Sequence, residues 1–313
     1  MHAELSQPVE IPLNHIDIKD QTFNISRPMQ DDSLQKSISE SGMLEPALLL
    51  ENEGRYRIIF GHNRIKAAGK CQLAVVPARV IEQVPMQSYM DGVAKKMYHD
   101  ELGPCGKCRV LNIVRKYFKA DSQKLQNAGN ILNVPGNFVR NSENADAVTA
   151  FPGELQDYLD VKNAGFRVIT GIMALPQPAI NFLSEIVQNT QVRLNYFREI
   201  VSMMDDILRR DGSLDNVLAI DRDDSDDRRV REESLYWSVR KIRYPRYTEM
   251  KHMVDEIATM LRQKGVTVNF PPYFEGDACT VSFVVRKGDD LSRAVLRPDD
   301  EVAELLGNML ELL

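Results

Sequence analysis

The sequence predicts an α+β protein of several domains: a small α/β domain, an all-α middle domain and a small α+β domain at the C-terminus. Two observations predict this class. Residues 8–85 and 235–313 each combine short apolar runs, typical of strands, with amphipathic segments, whereas residues 89–210 show mainly helical spacing. A length of 313 residues also exceeds that of one average domain.

We place the domains at residues 1–88, 89–210 and 235–313, with a linker over residues 211–234. The linker contains the mixed-charge run from Asp221 to Arg229, which has no apolar period.

The composition is that of a globular protein, with 43% hydrophobic and 27% charged residues. No apolar run has the length needed to span a bilayer, and the N-terminus lacks the basic start and apolar core of a signal peptide. Four cysteines fit a reducing compartment. We therefore expect a cytoplasmic protein without a membrane partner.

The N-terminal domain has the elements of a small α/β fold. They are, in order, a capped helix over residues 31–42 that ends at Gly42, a hairpin of strands over 47–50 and 56–60, a short helix after Gly61, and a strand over 75–81.

The turn at Gly61, from a strand into a helix, is a candidate anion site. Glycine lets the backbone approach a ligand, and the first N–H groups of the helix point outward beside the positive end of the helix dipole. Arg64 adds a guanidinium suited to phosphate. Because one Gly and one Arg also occur at ordinary βα turns, the pattern alone leaves both interpretations open.

The middle domain has the spacing of a helix-turn-helix. After a helix containing Leu111, Val114 and Phe118, Asp121-Ser122 caps a second helix over residues 123–132, and Asn133 makes a tight turn. Pro135 then starts a third helix, whose inner face has Phe138, Ala145 and Val148. Four residues on its outer face can read bases in a major groove: Asn137, Arg140, Asn141 and Asn144. A polar surface helix in a packing module has the same pattern.

Positive charge is concentrated in one part of an acidic chain. The net charge is −6, but residues 61–140 carry 13 Lys and Arg against five Asp and Glu, which gives +8 there and −14 elsewhere. Such a tract favours contact with phosphates through Lys116, Lys119 and Lys124. The alternative is ordinary solvated charge.

Cys105 and Cys108 have the spacing of half a zinc site or a redox pair. Cys71 and Cys279 are far away in sequence, so we expect no metal and interpret the pair as small residues at a helix start.

The C-terminal segment predicts a helix over residues 247–264, strands over 266–270 and 279–286, and a helix over 299–312, with Pro271-Pro272 and Gly276 between the strands. Two strands make a thin sheet, and pairing with a second copy would widen it.

Several segments, in this order, resemble the N-terminal domain of the ParB family of partition proteins. They are residues 11–18, the helix and loop 32–46, the strand 47–50, Gly61-His62-Asn63-Arg64-Ile65-Lys66-Ala67-Ala68, and 75–80. The family pattern is roughly "leu-x-x-SI-x-x-x-G-hydrophobic-x-x-P", a strand, "G-E-R-R-x-x-A-A" and "hydrophobic-P-hydrophobic". Leu102-Gly103-Pro104 and residues 151–159 resemble later family segments. The resemblance implies a small α/β domain that binds and hydrolyses CTP, related to sulfiredoxin and to a nucleotide-dependent serine kinase.

The resemblance also implies the nucleotide contacts. Carried over position by position, they are Gly42, Glu45, Pro46, Gly61, His62, Asn63, Arg64, Lys95 and Lys96. Lys95 and Lys96 stand where the family has an acid and an amide that hold magnesium, and carboxylate and amide oxygens are what magnesium prefers. We therefore expect CTP or another nucleoside triphosphate to bind here with magnesium in doubt and with weak or absent hydrolysis.

The implied function is that of a ParB-like DNA-binding protein of plasmid or chromosome partition, or of related transcriptional control. Its expected partners are double-stranded DNA, a second copy of the chain and a partition ATPase, in a bacterial nucleoid or on a plasmid. The alternative is a nucleotide-dependent enzyme of the same superfamily, a small-molecule kinase or a nuclease. In that case His62 would transfer a proton with Glu45 or Asp17 as its carboxylate partner.

Overall fold

A computed structural model describes residues 7–26, 32–99, 101–190, 192–221, 225, 227–270, 279–284 and 300–311. The chain has the expected mixed α+β class and divides into two compact units, Met1–Asp205 with Asp224–Glu232 and Asp206–Asp223 with Glu233–Leu313. The domain boundaries given above stay predictions. Among the described helices, none combines the length and apolar character that crossing a membrane requires.

The N-terminal part of the first unit is a five-stranded mixed sheet in the order β1-β5-β3-β4-β2. The β1–β5 and β3–β4 pairs are antiparallel, and the β3–β5 and β4–β2 pairs are parallel. Its strands and first two helices are β1 Val9–Pro12, β2 Ile16–Asp17, α1 Ser33–Ser41, β3 Ala47–Asn52, β4 Arg55–Phe60, α2 His62–Lys70 and β5 Val75–Ile81. The predicted hairpin, short helix and last strand are therefore confirmed, and Asp31 of the expected first helix lies outside the described residues.

The core of this part lies between the sheet and α2, and α1 packs against α2. Alternate residues of the strands point inward, as the period of two requires, and Ala47, Leu49 and Ile58 are almost fully buried. Ile65 and Ala68 of α2 pack against them. The small residues Ala67 and Ala68 are also fully buried, which fits a helix lying close to its neighbours.

Helices make up the rest of the first unit. They are α3 Met86–Tyr98, α4 Pro104–Lys116, α5 Ser122–Leu132, α6 Gly136–Arg140, α7 Ser142–Thr149, α8 Gly153–Val161, α9 Phe166–Met173, α10 Gln177–Thr190 and α11 Leu194–Asp211, of which the part from Asp206 belongs to the second unit. The second predicted helix is confirmed, because the carboxylate of Asp121 accepts a hydrogen bond from the N–H of Lys124 at 2.9 Å and Asn133 has a φ of 50°. Phe118 lies beyond the end of α4, contrary to the expected helix.

The start of α4 is held by a carboxylate from α8. Asp160, which is fully buried, accepts hydrogen bonds from the N–H groups of Cys105 at 2.7 Å and Gly106 at 3.3 Å. It also pairs with the Arg109 guanidinium at 2.6 Å. Gly103 leaves room for this contact, because a Cβ there would lie 2.4 Å from the Asp160 Oδ1. Asp160, which lies 55 positions after Cys105 in the sequence, thus caps the N-terminus of α4.

The third helix of the predicted helix-turn-helix is two helices, and the expectation of one continuous helix is wrong. Pro135 is the residue before α6 and not its first residue, and the chain is extended at Asn141, with φ −105° and ψ 115°. The Asn141 side chain accepts a hydrogen bond from the N–H of Glu143 at 2.9 Å and so caps α7. Asn and Ser favour such caps over helix interiors, which explains the break at Asn141-Ser142.

The charged segment 211–234 is not free of secondary structure. It contains α12 Asp215–Leu218 and the start of α13 Arg228–Arg243; residues 222–224 and 226 lie outside the described residues. Glu232 is almost fully buried and accepts hydrogen bonds from the backbone N–H of Arg193 at 2.7 Å and from its Nε at 2.9 Å. This segment has no apolar period, yet Glu232 is buried in it, because Arg193 donates hydrogen bonds to its carboxylate.

The second unit contains α14 Pro245–Gln263, an antiparallel pair β6 Val266–Asn269 and β7 Thr280–Phe283, and α15 Asp300–Leu310. The expected helix-strand-strand-helix order is confirmed. Val254, Leu261, Val266 and Val302 are buried in its core. The predicted breaks at Pro271-Pro272 and Gly276, the end of the second strand at Arg286, and residues 299 and 312 of the last helix lie outside the described residues.

Candidate nucleotide site and nucleic-acid face

Three segments of the first unit meet at the start of α2. They are the loop between α1 and β3, which contains Glu45 and Pro46, the turn at Gly61, and the end of α3, which contains Lys95 and Lys96. The structure therefore brings together residues that are up to 50 positions apart in the sequence.

Gly61 is the N-cap of α2 and has a left-handed backbone, with φ 107° and ψ 18°. Only glycine adopts this conformation without strain. A Cβ there would also lie 3.2 Å from the Cβ and 3.3 Å from the Cα of Ala47, so the turn lies tightly against β3. Gly61 has no side chain with which to cap α2, and the first N–H groups of the helix are directed out of its N-terminus.

Arg64 in the first turn of α2 is the main cation of the site. Its Nη1 donates to the carbonyl of Glu45 at 2.7 Å and to that of Pro46 at 3.3 Å. The same nitrogen forms an ion pair with the Glu45 Oε2 at 2.6 Å. Since these carbonyls fix the guanidinium beside the Gly61 turn, Arg64 is positioned before any ligand arrives.

Glu45 is the anion that the site already holds. Its second carboxylate oxygen lies 3.3 Å from the Lys95 Nζ, so one carboxylate bridges Arg64 and Lys95. Burial raises the pKa of Glu45, but the Arg64 and Lys95 charges outweigh that effect and lower the pKa overall. With about two-thirds of the side chain exposed, the carboxylate is free to move without unpacking a core.

Lys96 and His62 lie beside this bridge. Lys96 pairs with Glu101 at 3.0 Å and has only 19% of its side chain exposed. His62 is buried, and its Nε2 has no hydrogen-bond partner among the described residues. Burial, reinforced by the Lys96 charge and opposed by Asp20, lowers the pKa of His62 to about 4. His62 is therefore neutral near pH 7, and neither Glu45 nor Asp17 hydrogen-bonds it among the described residues.

Gly42 and Asn63 complete the expected set. Gly42 has φ 71° and ends α1, with its N–H donating to the Ile38 carbonyl at 2.9 Å and with open space where a Cβ would lie. Asn63 is half-buried in the first turn of α2 and is already engaged in an interaction.

An aromatic cluster, which sequence reasoning missed, fixes α3 and with it Lys95 and Lys96. The Phe60 ring stacks on Tyr89 with centroids 5.6 Å apart and an interplanar angle of 10°, and Phe23 and Phe118 pack on Tyr89. Gly92 is required here because a Cβ would lie 2.3 Å from the Phe60 ring. The only signal for this contact was the apolar Phe60 directly before Gly61, and nothing nearby in sequence named its partner.

The residues expected to contact DNA lie on or beside α4 to α7 of the first unit, and most are exposed. Asn137, Arg140, Lys119 and Lys124 are exposed, and Lys119 follows α4 with a φ of 48°. The Asn144 amide donates to the carbonyl of Asn137 at 3.2 Å. Because Asn141 caps α7 and Asn144 closes the α6–α7 break, both amides already have structural partners.

Much of the local positive charge has partners within the first unit. Lys116 pairs with Asp146 at 2.5 Å and Lys124 with Asp121 at 3.5 Å. The Arg115 guanidinium donates to the Val139 carbonyl at 3.0 Å, at the end of α6. Lys119 makes no ion pair among the described residues, so it is the expected phosphate contact with the least local compensation.

Cys105 and Cys108 are fully buried in the first turns of α4. Burial raises the pKa of Cys108 to about 12 and that of Cys105 further, which keeps both as thiols at neutral pH. Among the described residues, no three metal-binding side chains converge. The expectation of no metal stays a prediction.

A mixed α/β part with a left-handed glycine turn at the start of a helix, followed by a run of helices, is the class that this fold and site define. Residues 2–91 match the family described as the ParB N-terminal domain, which confirms the resemblance to the ParB family of partition proteins. A curated relative, a probable plasmid-partitioning protein ParB from Thermus thermophilus, is 25% identical over 101 residues. That match covers 32% of this chain and about a third of the relative's length.

Three solved structures are also similar. Two are C-terminally truncated chromosome-partitioning proteins ParB from Caulobacter crescentus. One, complexed to the centromeric parS site, is 19% identical, with a TM-score of 0.26, and the match covers 62% of this chain and 97% of that one. The other, complexed with CTP-gamma-S, has 20% identity, 59% and 100% coverage and a TM-score of 0.25. A Pnob8-like ParB-N domain has 14% identity, 77% and 99% coverage and a TM-score of 0.37.

Proposed function

We propose that this chain is a ParB-like DNA-binding protein of plasmid or chromosome partition, or of related transcriptional control. In this proposal its hold on double-stranded DNA depends on a nucleotide at the Gly61 turn. The nucleotide is CTP or another nucleoside triphosphate. Such a protein works in the bacterial cytoplasm, on a nucleoid or a plasmid, and its further partners are a second copy of the chain and a partition ATPase.

The observation that carries this proposal is the carboxylate of Glu45 bound between Arg64 and Lys95 beside the uncapped start of α2. A carboxylate is the protein's own equivalent of a phosphate oxygen in charge and in hydrogen bonding. The two cations that hold this carboxylate, together with the first N–H groups of α2 beside them, are the groups that would hold a triphosphate.

The residues present fit a triphosphate better than they fit magnesium. Arg64, Lys95 and Lys96 supply three cations, and Glu45 bridges two of them. Bound nucleotide would supply negative charge and a base, while the chain would supply the cradle and displace Glu45 from Arg64. We accordingly propose nucleotide binding with weak or absent hydrolysis.

The DNA contact is proposed on the face formed by α6, the loop before α5 and the first turn of α5. Arg140 and Asn137 are exposed on α6 and have side chains that can read bases, whereas Lys119 and Lys124 would hold phosphates. α6 has only five residues, so the readable surface is shorter than in a long recognition helix. Asn141 and Asn144 would keep this face in place through the hydrogen bonds that they already make.

A nucleotide-dependent enzyme is the second candidate, and the buried, unpartnered Nε2 of His62 favours it. A neutral imidazole next to a phosphate site can accept a proton. Release of phosphate or transfer of a phosphoryl group by the purified chain, lost in His62→Gln, would support this candidate.

The test is the anisotropy of labelled duplexes drawn from a pool of fragments, measured with and without each nucleoside triphosphate. We expect a nucleotide to change duplex affinity severalfold, and Arg64→Ala to abolish that change while leaving nucleotide-free binding intact. Arg140→Ala should cost about 1–3 kcal/mol on a selected site, with Arg55→Ala as the control for loss of an exposed arginine. Binding that ignores both nucleotide and Arg140→Ala would contradict the proposal.

A further inference from the structure

The second unit has a concentration of aromatic and basic side chains that the functions above do not use. Residues 236–251 contain five Lys and Arg, one Glu and four aromatic residues, in a chain whose net charge is −6. Most of them lie where α13 meets α14, a place that we call the α13–α14 corner: Tyr236, Trp237, Arg240, Lys241, Tyr244 and Arg246. Trp237 is the only tryptophan of the chain.

Hydrogen bonds from α11 hold the backbone at the corner. The Arg210 guanidinium donates to the carbonyl of Arg243 at 2.8 Å and to that of Ile242 at 3.0 Å, which satisfies the last carbonyls of α13. Pro245 is the first residue of α14, so Tyr244 alone connects the two helices. The end of α13 and the start of α14 are therefore joined by a single residue next to carbonyls that have partners.

Aromatic rings and guanidinium groups alternate there. The Arg240 guanidinium lies 5.5 Å from the ring centroid of Trp237 and 5.7 Å from that of Tyr244, and it donates to the Tyr236 hydroxyl at 2.8 Å. Arg243 lies 4.6 Å from the Tyr244 centroid and pairs with Asp206 at 3.0 Å. These cation–π contacts hold the rings in place from one side.

The outer part of the corner faces solvent. Trp237 is 48% exposed and Tyr244 38% exposed, which is a large apolar exposure for side chains that usually lie in cores. Lys241 and Arg246 are exposed on either side of Tyr244 and make no ion pair among the described residues. Two exposed rings are thus flanked by two uncompensated cations.

We propose that the α13–α14 corner binds single-stranded nucleic acid, with bases stacked on Trp237 and Tyr244 and with phosphates held by Lys241 and Arg246. Stacking requires bases that are not already stacked in a duplex, so the ligand is a single strand. Such binding tolerates most sequences, because every base has an aromatic face. This surface is separate from the α6 face proposed for duplex DNA.

The single tryptophan makes the proposal directly measurable. Short oligothymidylate titrated into the full chain should quench the Trp237 emission to saturation, with an affinity that falls as salt rises. Tyr244→Ala should weaken binding about tenfold, in line with the loss of one stacked base. Lys241→Ala with Arg246→Ala should weaken it and should also reduce the dependence on salt.

Two controls separate this surface from other effects. Lys36→Ala with Lys70→Ala removes the same charge from exposed positions of the N-terminal sheet domain and should leave the quenching unchanged. Thermal melting of each variant checks that the second unit remains folded.

Three results would overturn the proposal. They are no quenching with oligothymidylate, quenching by heparin equal to that by oligothymidylate, and quenching that survives Tyr244→Ala at full affinity. In each case the rings would serve only to pack the two helices. Because Arg64 and Arg140 take no part in these titrations, failure here leaves the proposed function untouched.

Discussion

Glu45 is the only acidic residue among the nine expected nucleotide contacts. From the sequence alone, its charge would oppose that of a phosphate. In the structure its carboxylate is bound by Arg64 and Lys95 at 2.6 and 3.3 Å. The acid therefore competes with a ligand for the same cations.

Glu45→Gln should tighten nucleotide binding. The change removes one negative charge a few ångströms from the ligand site, and an interaction of about 1 kcal/mol between half-solvated charges corresponds to about a fivefold gain. Isothermal titration of the wild type and the variant with the same nucleotide measures it, and Glu51→Gln on an exposed part of β3 is the matched control. Weaker binding in Glu45→Gln would show that the carboxylate is a ligand contact.

Because His62 is buried as a neutral side chain, we expect the folded chain to lose stability on acidification. Its pKa is about 4 in the folded chain and 6.5 in the unfolded chain, so the unfolded state binds more protons between these values. The contribution of His62 to the free energy of unfolding is therefore largest above about pH 6.5 and falls as the pH drops toward 4. Between about pH 7.5 and pH 5 the free energy of unfolding should fall by about 2 kcal/mol because of this residue.

Urea denaturation of the wild type and His62→Gln at both pH values checks this prediction. The variant should lose about 2 kcal/mol less on acidification than the wild type, because glutamine does not titrate. His99→Gln, at an exposed position, should behave like the wild type. An equal loss in wild type and His62→Gln would mean that His62 is protonated as readily in the folded chain.

The residues of the candidate site were accessible to sequence reasoning, but their pairing was not. Gly61, Arg64 and Glu45 could be selected from local pattern and resemblance. The Arg64–Glu45 ion pair and the burial of His62 depend on how three distant segments pack, and local pattern carries no such information. The Phe60–Tyr89 stack that places Lys95 is of the same kind.

At the scale of elements, helix caps explain which helix bounds the sequence predicts correctly and which it does not. Asp121 and Asn133 have strong local preferences, so the bounds of α5 were predictable. Asn141 has the same preference for a cap, but we placed it inside a helix because Phe138, Ala145 and Val148 share a helical period. The competing signal was the Asn-Ser pair, and it explains the break between α6 and α7.

Because Asp160 caps α4, we expect the isosteric substitution Asp160→Asn to lower the free energy of unfolding strongly. Asp160→Asn removes the charge that binds Arg109 and two backbone N–H groups in a fully buried place, and we expect a loss of about 3 kcal/mol in the free energy of unfolding. Denaturant titration measures it. Glu154→Gln, an exposed change on the same helix, should stay within about 0.5 kcal/mol of the wild type.

A loss below about 1 kcal/mol in Asp160→Asn would contradict this account of α4.

The arginines near α4 bear on the positive tract over residues 61–140 of the sequence. Arg109 and Arg115 belong to that tract, yet both make hydrogen bonds inside the first unit. Counting charges along a chain therefore overstates the charge that is available to a partner.

For the whole molecule, this difference between counted and available charge predicts which lysine matters for DNA. Lys119→Ala should weaken binding to all duplexes and lower the slope of log affinity against log salt by about one. Lys116→Ala should lower the slope less, because Lys116 already pairs with Asp146. Duplex binding measured over a range of salt concentrations decides this, and equal slopes in Lys119→Ala and the wild type would remove Lys119 from the interface.

The fold class and the order of elements could be predicted from the sequence because each depends on local periodicity and turn residues. The buried Glu232 shows the limit of that approach. Its segment has no apolar period, and only the partner at Arg193 makes its burial tolerable. The two-unit division of the chain likewise depends on contacts between distant residues.

Calorimetric titration of the full chain with CTP, ATP and GTP, for the wild type and Arg64→Ala, tests the central claim most directly. The account predicts saturable binding of at least one of these nucleotides to the wild type, a loss of at least tenfold in Arg64→Ala, and unchanged binding in Arg55→Ala. Absence of heat with all three nucleotides, or undiminished affinity in Arg64→Ala, would contradict it.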